Sequence, residues 1–191
     1  MAYAAASDVK TYLGISVSTD DTLITALITR AQAAIDRYCN RTFEASANST
    51  RYFDAVADVY GPTLILDEDL ASINSVTNGD GTTVTSSQYV TEPRNMTPYY
   101  ALRIRSDASV AWTYSSYPEN AIAISGKWAY STSAPADIVH ACIRLASYYY
   151  RQKDAQVFDV TATPELGQIT IPQGLPRDVE ILLEPYRKRG R

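Results

Sequence analysis

The single histidine of this chain, His140, is the first residue to test for chemistry. A nucleophilic triad needs a histidine served by a serine on a sharp turn, and no Gly-x-Ser-x-Gly segment is present. Val139 and Ala141 flank His140 in a helical pattern, so it reads as a structural or solvated side chain. A zinc site needs clustered thiolate and imidazole ligands, whereas Cys39, His140 and Cys142 are dispersed. Both cysteines lie on helical patterns and read as small buried thiols rather than a disulfide framework. Asp67-Glu68-Asp69 is the tightest acidic cluster. It lacks the ligand spacing and central glycine of a calcium loop, and reads as a solvated turn between strands. No glycine pattern suited to cradling phosphate occurs. No catalytic residue, metal ligand or cofactor is assigned, and the chain is expected not to be an enzyme.

The aromatic and basic residues are more informative. The chain has 15 Tyr against 3 Phe. Tyr99, Tyr100, Trp112, Tyr114, Tyr117, Trp128 and Tyr130 fall close together. Such side chains fill a small β-core, face a protein partner, or stack on a sugar or base, and their types alone leave all three open. Nucleic-acid stacking calls for interleaved cations, and only Arg94, Arg103, Arg105 and Lys127 are near. Arg187, Lys188, Arg189 and Arg191 place four positive charges in the last five residues. Removing them from the 17 basic residues leaves 13 against 21 acidic ones, so a basic tail ends an acidic body.

Helices and strands must position these residues. Ser7 caps a short helix that Gly14 stops after Leu13. Asp20 and Asp21 begin a long one, with Leu23, Ile24, Leu27, Ile28, Ala31, Ala34, Ile35 and Tyr38 on one stripe. Pro135 opens a second, running to Arg151, whose stripe is Ile138, Val139, Cys142, Leu145, Ala146 and Tyr149. Leu23, Leu27, Ile28, Ala31, Ile35 and Tyr38 are expected to pack on Ile138, Cys142, Leu145 and Tyr149 as the helical core, with small alanines permitting close approach. Between the helices, short segments at 63–66, 71–76, 88–91, 101–105 and 121–124 are β-prone, and most alternate apolar with polar residues. Asn78-Gly79 is expected to close a hairpin between the second and third of these. Pro176 opens a last short helix carrying Val179, Leu182 and Leu183, and Pro185 ends it.

The fold expected is α+β: a small helical bundle with an inserted antiparallel β-sheet or barrel, then a C-terminal helix and an extended basic tail. Residues 1–50 carry the N-terminal helices, 51–130 the β-rich insert and 131–153 the second long helix. Residues 154–175 form an irregular connection and 176–191 the last helix and tail. The N-terminus lacks the basic segment and apolar run of a signal peptide, and no stretch approaches the roughly 20 apolar residues of a membrane span. Synthesis in a cytoplasm and no membrane partner are expected.

Read together, the two ends carry a resemblance. Leu13-Gly14-Ile15, the double acid Asp20-Asp21 and the helix closing on Tyr38-Cys39-Asn40-Arg41-Thr42-Phe43 pair with Pro185-Tyr186-Arg187 at the C-terminus. This combination resembles the head–tail connector, or adaptor, proteins of long-tailed double-stranded DNA bacteriophages. The resemblance implies a structural protein of the virion neck, forming a ring of about twelve copies matched to the portal. It implies contact with the portal protein, with neighbouring copies and with a stopper or tail-completion protein. Phage DNA would pass through the channel without sequence-specific binding. By the family pattern, portal or neighbour contact falls on Leu182, Leu183, Pro185, Tyr186, Arg187, Lys188, Arg189 and Arg191. Two other readings remain: a tail-completion or stopper ring component, and a carbohydrate-binding module using the aromatic-rich insert.

Overall fold

The computed structural model describes residues 2–155, 162–163, 167–168 and 174–188. The chain forms two compact units, one spanning Arg41–Ala134 and the other combining Ala2–Asn40 with Pro135–Arg191.

The second unit is helical. Helix α1 (Ala6–Leu13) starts one residue before Ser7, because the Asp8 carboxylate accepts the Ala5 backbone N–H at 2.8 Å. Gly14 ends it in the left-handed conformation at φ 73°, which a residue without Cβ adopts at little cost. Helix α2 (Asp21–Cys39) and α3 (Ala136–Ala155) pack against each other, with α1 laid on both. Their interface is built from Ile24, Leu27, Ile28, Ala31, Ala34, Ile35 and Cys39 on α2. Ile138, Ala141, Cys142, Leu145 and Ala146 face them from α3. Leu23, Tyr38 and Tyr149 are half-buried at its margins. Helix α4 (Arg177–Leu183) packs on α3 and α2, and a 3-10 turn follows at Glu184–Tyr186.

The first unit is a six-stranded antiparallel sheet: β1 (Ser49–Phe53), β2 (Val59–Tyr60), β3 (Thr63–Thr77), β4 (Tyr89–Glu92), β5 (Tyr99–Ile104) and β6 (Ile122–Trp128). Its order is β1-β6-β3-β5-β4, with β2 added to β3. Strands β1 and β4 are edges, so the sheet is open and the barrel alternative is set aside. Alternation is clearest in β6, where Ile122, Ile124, Gly126 and Trp128 point inward and their neighbours do not. Phe53, Leu64, Leu66, Leu70, Val76, Val84, Leu102 and Ile104 complete that core. A Cβ on Gly126 would lie 2.2 Å from the Ser72 carbonyl oxygen, so the close approach of β6 to β3 depends on that glycine.

Three expectations change. The turn expected at Asp67-Glu68-Asp69 is absent, because β3 runs through it as one strand with a register shift between Ile65 and Leu70. Asp67 and Glu68 stay exposed and bind Arg51, while Asp69 turns inward to Arg41, Nε to Oδ2 at 3.4 Å. The bulge lets the strand bend: its first half pairs with β5 and its second with β6. Asn78-Gly79 does turn the chain back, with Thr77 bridging Thr83 antiparallel and the Val84 N–H donating to the Val76 carbonyl at 2.9 Å, but the returning segment is not β4, which pairs with β5 at the far edge. The Asn78 side chain is buried, donating to the Ala111 carbonyl at 2.8 Å and accepting the Thr113 N–H at 3.1 Å. The connection at 154–175 contains one strand pair, β7 (Ala162–Thr163) with β8 (Gly167–Gln168). Most of it, including Ile169-Thr170-Ile171, lies outside the described residues.

Candidate assembly surface

The C-terminal segment is held down by its own bundle. Val179 and Leu183 are buried, whereas Ile181 is 62% exposed. Leu183 therefore belongs to the helical core and is withdrawn from the residues offered to a partner. The reason is helical spacing: positions 179 and 183 share the face turned to α3, and 181 points away. Leu182 and Tyr186 are half-buried and Pro185 is exposed. The Tyr186 hydroxyl donates to Asp137 Oδ2 at 3.0 Å. The Tyr38 hydroxyl donates to Glu184 Oε2 at 3.1 Å; partial burial, then this carboxylate, raise the phenol pKa. The Arg187 guanidinium sits 5.5 Å from the Tyr38 ring centroid. Lys188 donates its backbone N–H to the Cys39 carbonyl at 2.8 Å. The tail is thus tied to the end of α2 as far as Lys188, where the sequence suggested an extended segment. Pro185 breaks the helix, but the 3-10 turn carries the chain back onto the bundle. Arg189 and Arg191 lie outside the described residues.

The histidine and the two cysteines form no shared site among the described residues. His140 is exposed and meets Tyr12 edge-on, at 6.4 Å between centroids. Cys39 and Cys142 are buried free thiols, and burial pushes Cys142 up to about 12. Among the described residues no group of His, Cys, Asp and Glu is placed to hold a metal ion. No described helix is long and apolar enough to cross a membrane.

The aromatic cluster divides by role. Trp128 is buried in the sheet core and donates from Nε1 to the Ser49 carbonyl at 3.0 Å. Half-buried Trp112 ties its segment to the Pro62 carbonyl at 2.9 Å. Tyr100, Tyr114 and Tyr117 are exposed, Tyr117 by 78%. Arg94, Arg103 and Arg105 border an open cleft of about 570 Å³ beside β4 and β5. Asp107 is engaged by Arg105 there, which holds its carboxyl below the usual range.

A second polar region lies in the helical unit. Arg144 on α3 donates to the Tyr12 hydroxyl on α1 at 3.0 Å and pairs with Asp178 on α4, joining three helices. Asp20 accepts from Lys153 at 2.6 Å and from the Tyr150 hydroxyl at 2.5 Å, clamping the start of α2 to the end of α3. None of these ties was visible as a motif, because each joins residues more than 30 positions apart.

The fold defined here is an α+β module, a helical bundle carrying an open antiparallel sheet, with its C-terminal segment folded back on the bundle. The sequence matches the model of the head completion protein family over residues 4–189, and the chain belongs to that family. Family membership makes it a structural component of the head–tail neck of a phage-like virion. Two solved structures share the fold. One chain, from "Virion of native gene transfer agent (GTA) particle", is 16% identical with a TM-score of 0.59. Another, from "Neck of empty GTA particle computed with C6 symmetry", is 13% identical with a TM-score of 0.54. Each match covers 97% of this chain and 90% of the other. No curated protein matches in sequence.

Proposed function

We propose that copies of this chain close into a ring below the portal, extend the DNA channel and present a docking surface for the stopper or tail. The observation that carries this reading is the head completion family match along nearly the whole chain. The similar chain in a neck computed with C6 symmetry supports a ring, and a ring of about twelve copies is compatible with sixfold symmetry. The role is structural and requires no reaction. The portal-facing element is the outer side of the C-terminal segment: Ile181, Leu182, Pro185 and Arg187, extended by Lys188, Arg189 and Arg191. An apolar residue beside cations suits a partner with an apolar pocket and an acidic rim.

The test uses heads assembled without this chain. Adding the purified protein should restore tail joining, and the protein should copurify with portal-bearing heads. Ile181→Asp combined with Arg187→Glu should reduce head binding while the circular dichroism of the protein is unchanged. Recovery with tails alone would favour a tail-completion or stopper role instead. Restoration at wild-type level by the double variant would remove the C-terminal segment from the interface.

A further inference from the structure

Strand β4 leaves backbone groups unpaired at the rim of the sheet. It pairs with β5 alone. The Arg105 N–H donates to the Gln88 carbonyl at 2.9 Å, so the alternation of an antiparallel pair turns the backbone groups of Val90 toward Arg103 and those of Tyr89 and Thr91 toward the free side. Among the described residues no backbone partner meets them there. Tyr89, Val90 and Thr91 border an open cleft of about 450 Å³ whose other walls include Ile73, Ser86 and Tyr99. It shares Val90 and Arg94 with the cleft of about 570 Å³ beside β4 and β5. Together the two are bordered by Arg94, Arg103 and Arg105 against one acid, Asp107. Asp107 is paired with Arg105, and no ion pair among the described residues engages Arg94 or Arg103. Glu92, on β4 itself, borders neither cleft. An unpaired strand edge beside free cations suits an extended acidic segment, held by backbone hydrogen bonds and by charge.

The helical unit carries a segment of that kind. Helices α3 and α4 pack on each other, and helices so placed need a connection of roughly 2–8 residues, yet residues 156–176 lie between them. The described part of this stretch is the hairpin of β7 and β8, two residues a side, paired only with itself among the described residues. A two-stranded hairpin alone is marginal in water, so this one gains from a third strand. The residues after β8, Ile169-Thr170-Ile171, continue the alternation of a strand in sequence. From Asp154 to Pro176 the chain has three acids, Asp154, Asp159 and Glu165, and no basic residue. Of the outer strands, β4 is the one that matches it in charge. On β1, Arg51 is already bound by Asp67 and Glu68, and β2 directly follows Asp58.

We propose that the β7–β8 hairpin of one copy adds to the free edge of β4 in the next copy around the ring, with Asp159 and Glu165 set against Arg94 and Arg103. Backbone pairing supplies the affinity, and Ile169 and Ile171 bring apolar side chains to the cleft wall at Ile73 and Val90. The contact joins two different surfaces, which is the heterologous geometry that closes rings. The proposal rests on the ring reading above.

The test measures the amount of this chain in purified particles. Thr91→Pro removes an outward N–H and sets a ring against the incoming strand, while the β4–β5 ladder keeps its bonds. It should lower incorporation about tenfold with the melting temperature of the free protein unchanged. Arg94→Glu combined with Arg103→Glu should lower incorporation as well, and adding Asp159→Arg and Glu165→Arg to that chain should restore most of it. If Thr91→Pro melts lower, the arginine variant and its rescue decide. Ser86 is exposed at the cleft. Particles assembled from a mixture of a Ser86→Cys chain and a Gln168→Cys chain should give covalent dimers with a short bis-maleimide, where neither chain alone does. Buried Cys39 and Cys142 should add little background. Normal incorporation of the arginine variant, no rescue by the charge swap, or no dimer specific to the mixture overturns the pairing while the ring stands. A Ser86→Cys/Gln168→Cys chain bridged only within itself means that the hairpin joins its own sheet, and also overturns it. Wild-type chain present as one copy per particle overturns the ring itself.

Discussion

Leu183 and Ile181 differ in consequence although they sit two residues apart on one helix. Leu183 fills the bundle, so Leu183→Ala should cost roughly 2–5 kcal/mol in denaturant unfolding. Ile181→Ala, at an exposed position, should stay within about 0.5 kcal/mol. Cys142 makes a kinetic prediction: with its thiol pushed up to about 12 and buried, it should react with maleimide only as the protein unfolds. Labelling at the rate of a free thiol at neutral pH would contradict the helical packing. Asp20 makes a pH prediction. The hydrogen bond from Lys153, then that from Tyr150, lowers its pKa below the ordinary 3.8. Its stabilising effect is therefore complete above about pH 3.8 and fades as pH falls through the lower folded-state value. Asp20→Asn should melt below wild type at neutral pH, with the gap closing in strong acid. Because the pair is exposed, the difference should also shrink in high salt.

At the scale of elements, the sheet depends on a close fit at Gly126. Gly126→Ala forces a Cβ to within 2.2 Å of the Ser72 carbonyl, so it should disrupt the β3–β6 pairing and leave the protein poorly soluble. Helix contacts in the other unit should survive, which hydrogen exchange resolved by residue can check. The helices were legible because Leu27, Ile28, Ala31 and Ile35 repeat at helical spacing, and Gly14 and Pro176 punctuate plainly. The strands were legible as β-prone segments, but their joining was not. Asp67-Glu68-Asp69 reads as a break because three acids are unfavourable in a sheet; only Arg41 and Arg51, distant in sequence, explain why the strand continues. Asn78 illustrates the same limit: its side chain serves a segment 33 residues away. The folding back of the tail was not legible, because Tyr38, Asp137 and Cys39, which hold it, are distant in sequence.

At the scale of the whole molecule, charge and function connect. Without the four cations of the tail the helical unit holds 7 basic against 11 acidic residues and the sheet unit 6 against 10, so both are acidic and the positive end of the chain is its C-terminus. The basic C-terminal residues then remain for the portal. Neutralising Arg187, Lys188, Arg189 and Arg191 together should weaken head binding with a salt dependence shallower than wild type, without unfolding the body. The most direct test of the neck assignment is cryo-electron microscopy of particles that carry a tail. The account predicts this α+β fold repeated around the axis between head and tail, with its C-terminal segments turned toward the portal. A complete neck in which no density fits the fold, in particles whose protein content lacks this chain, would contradict it.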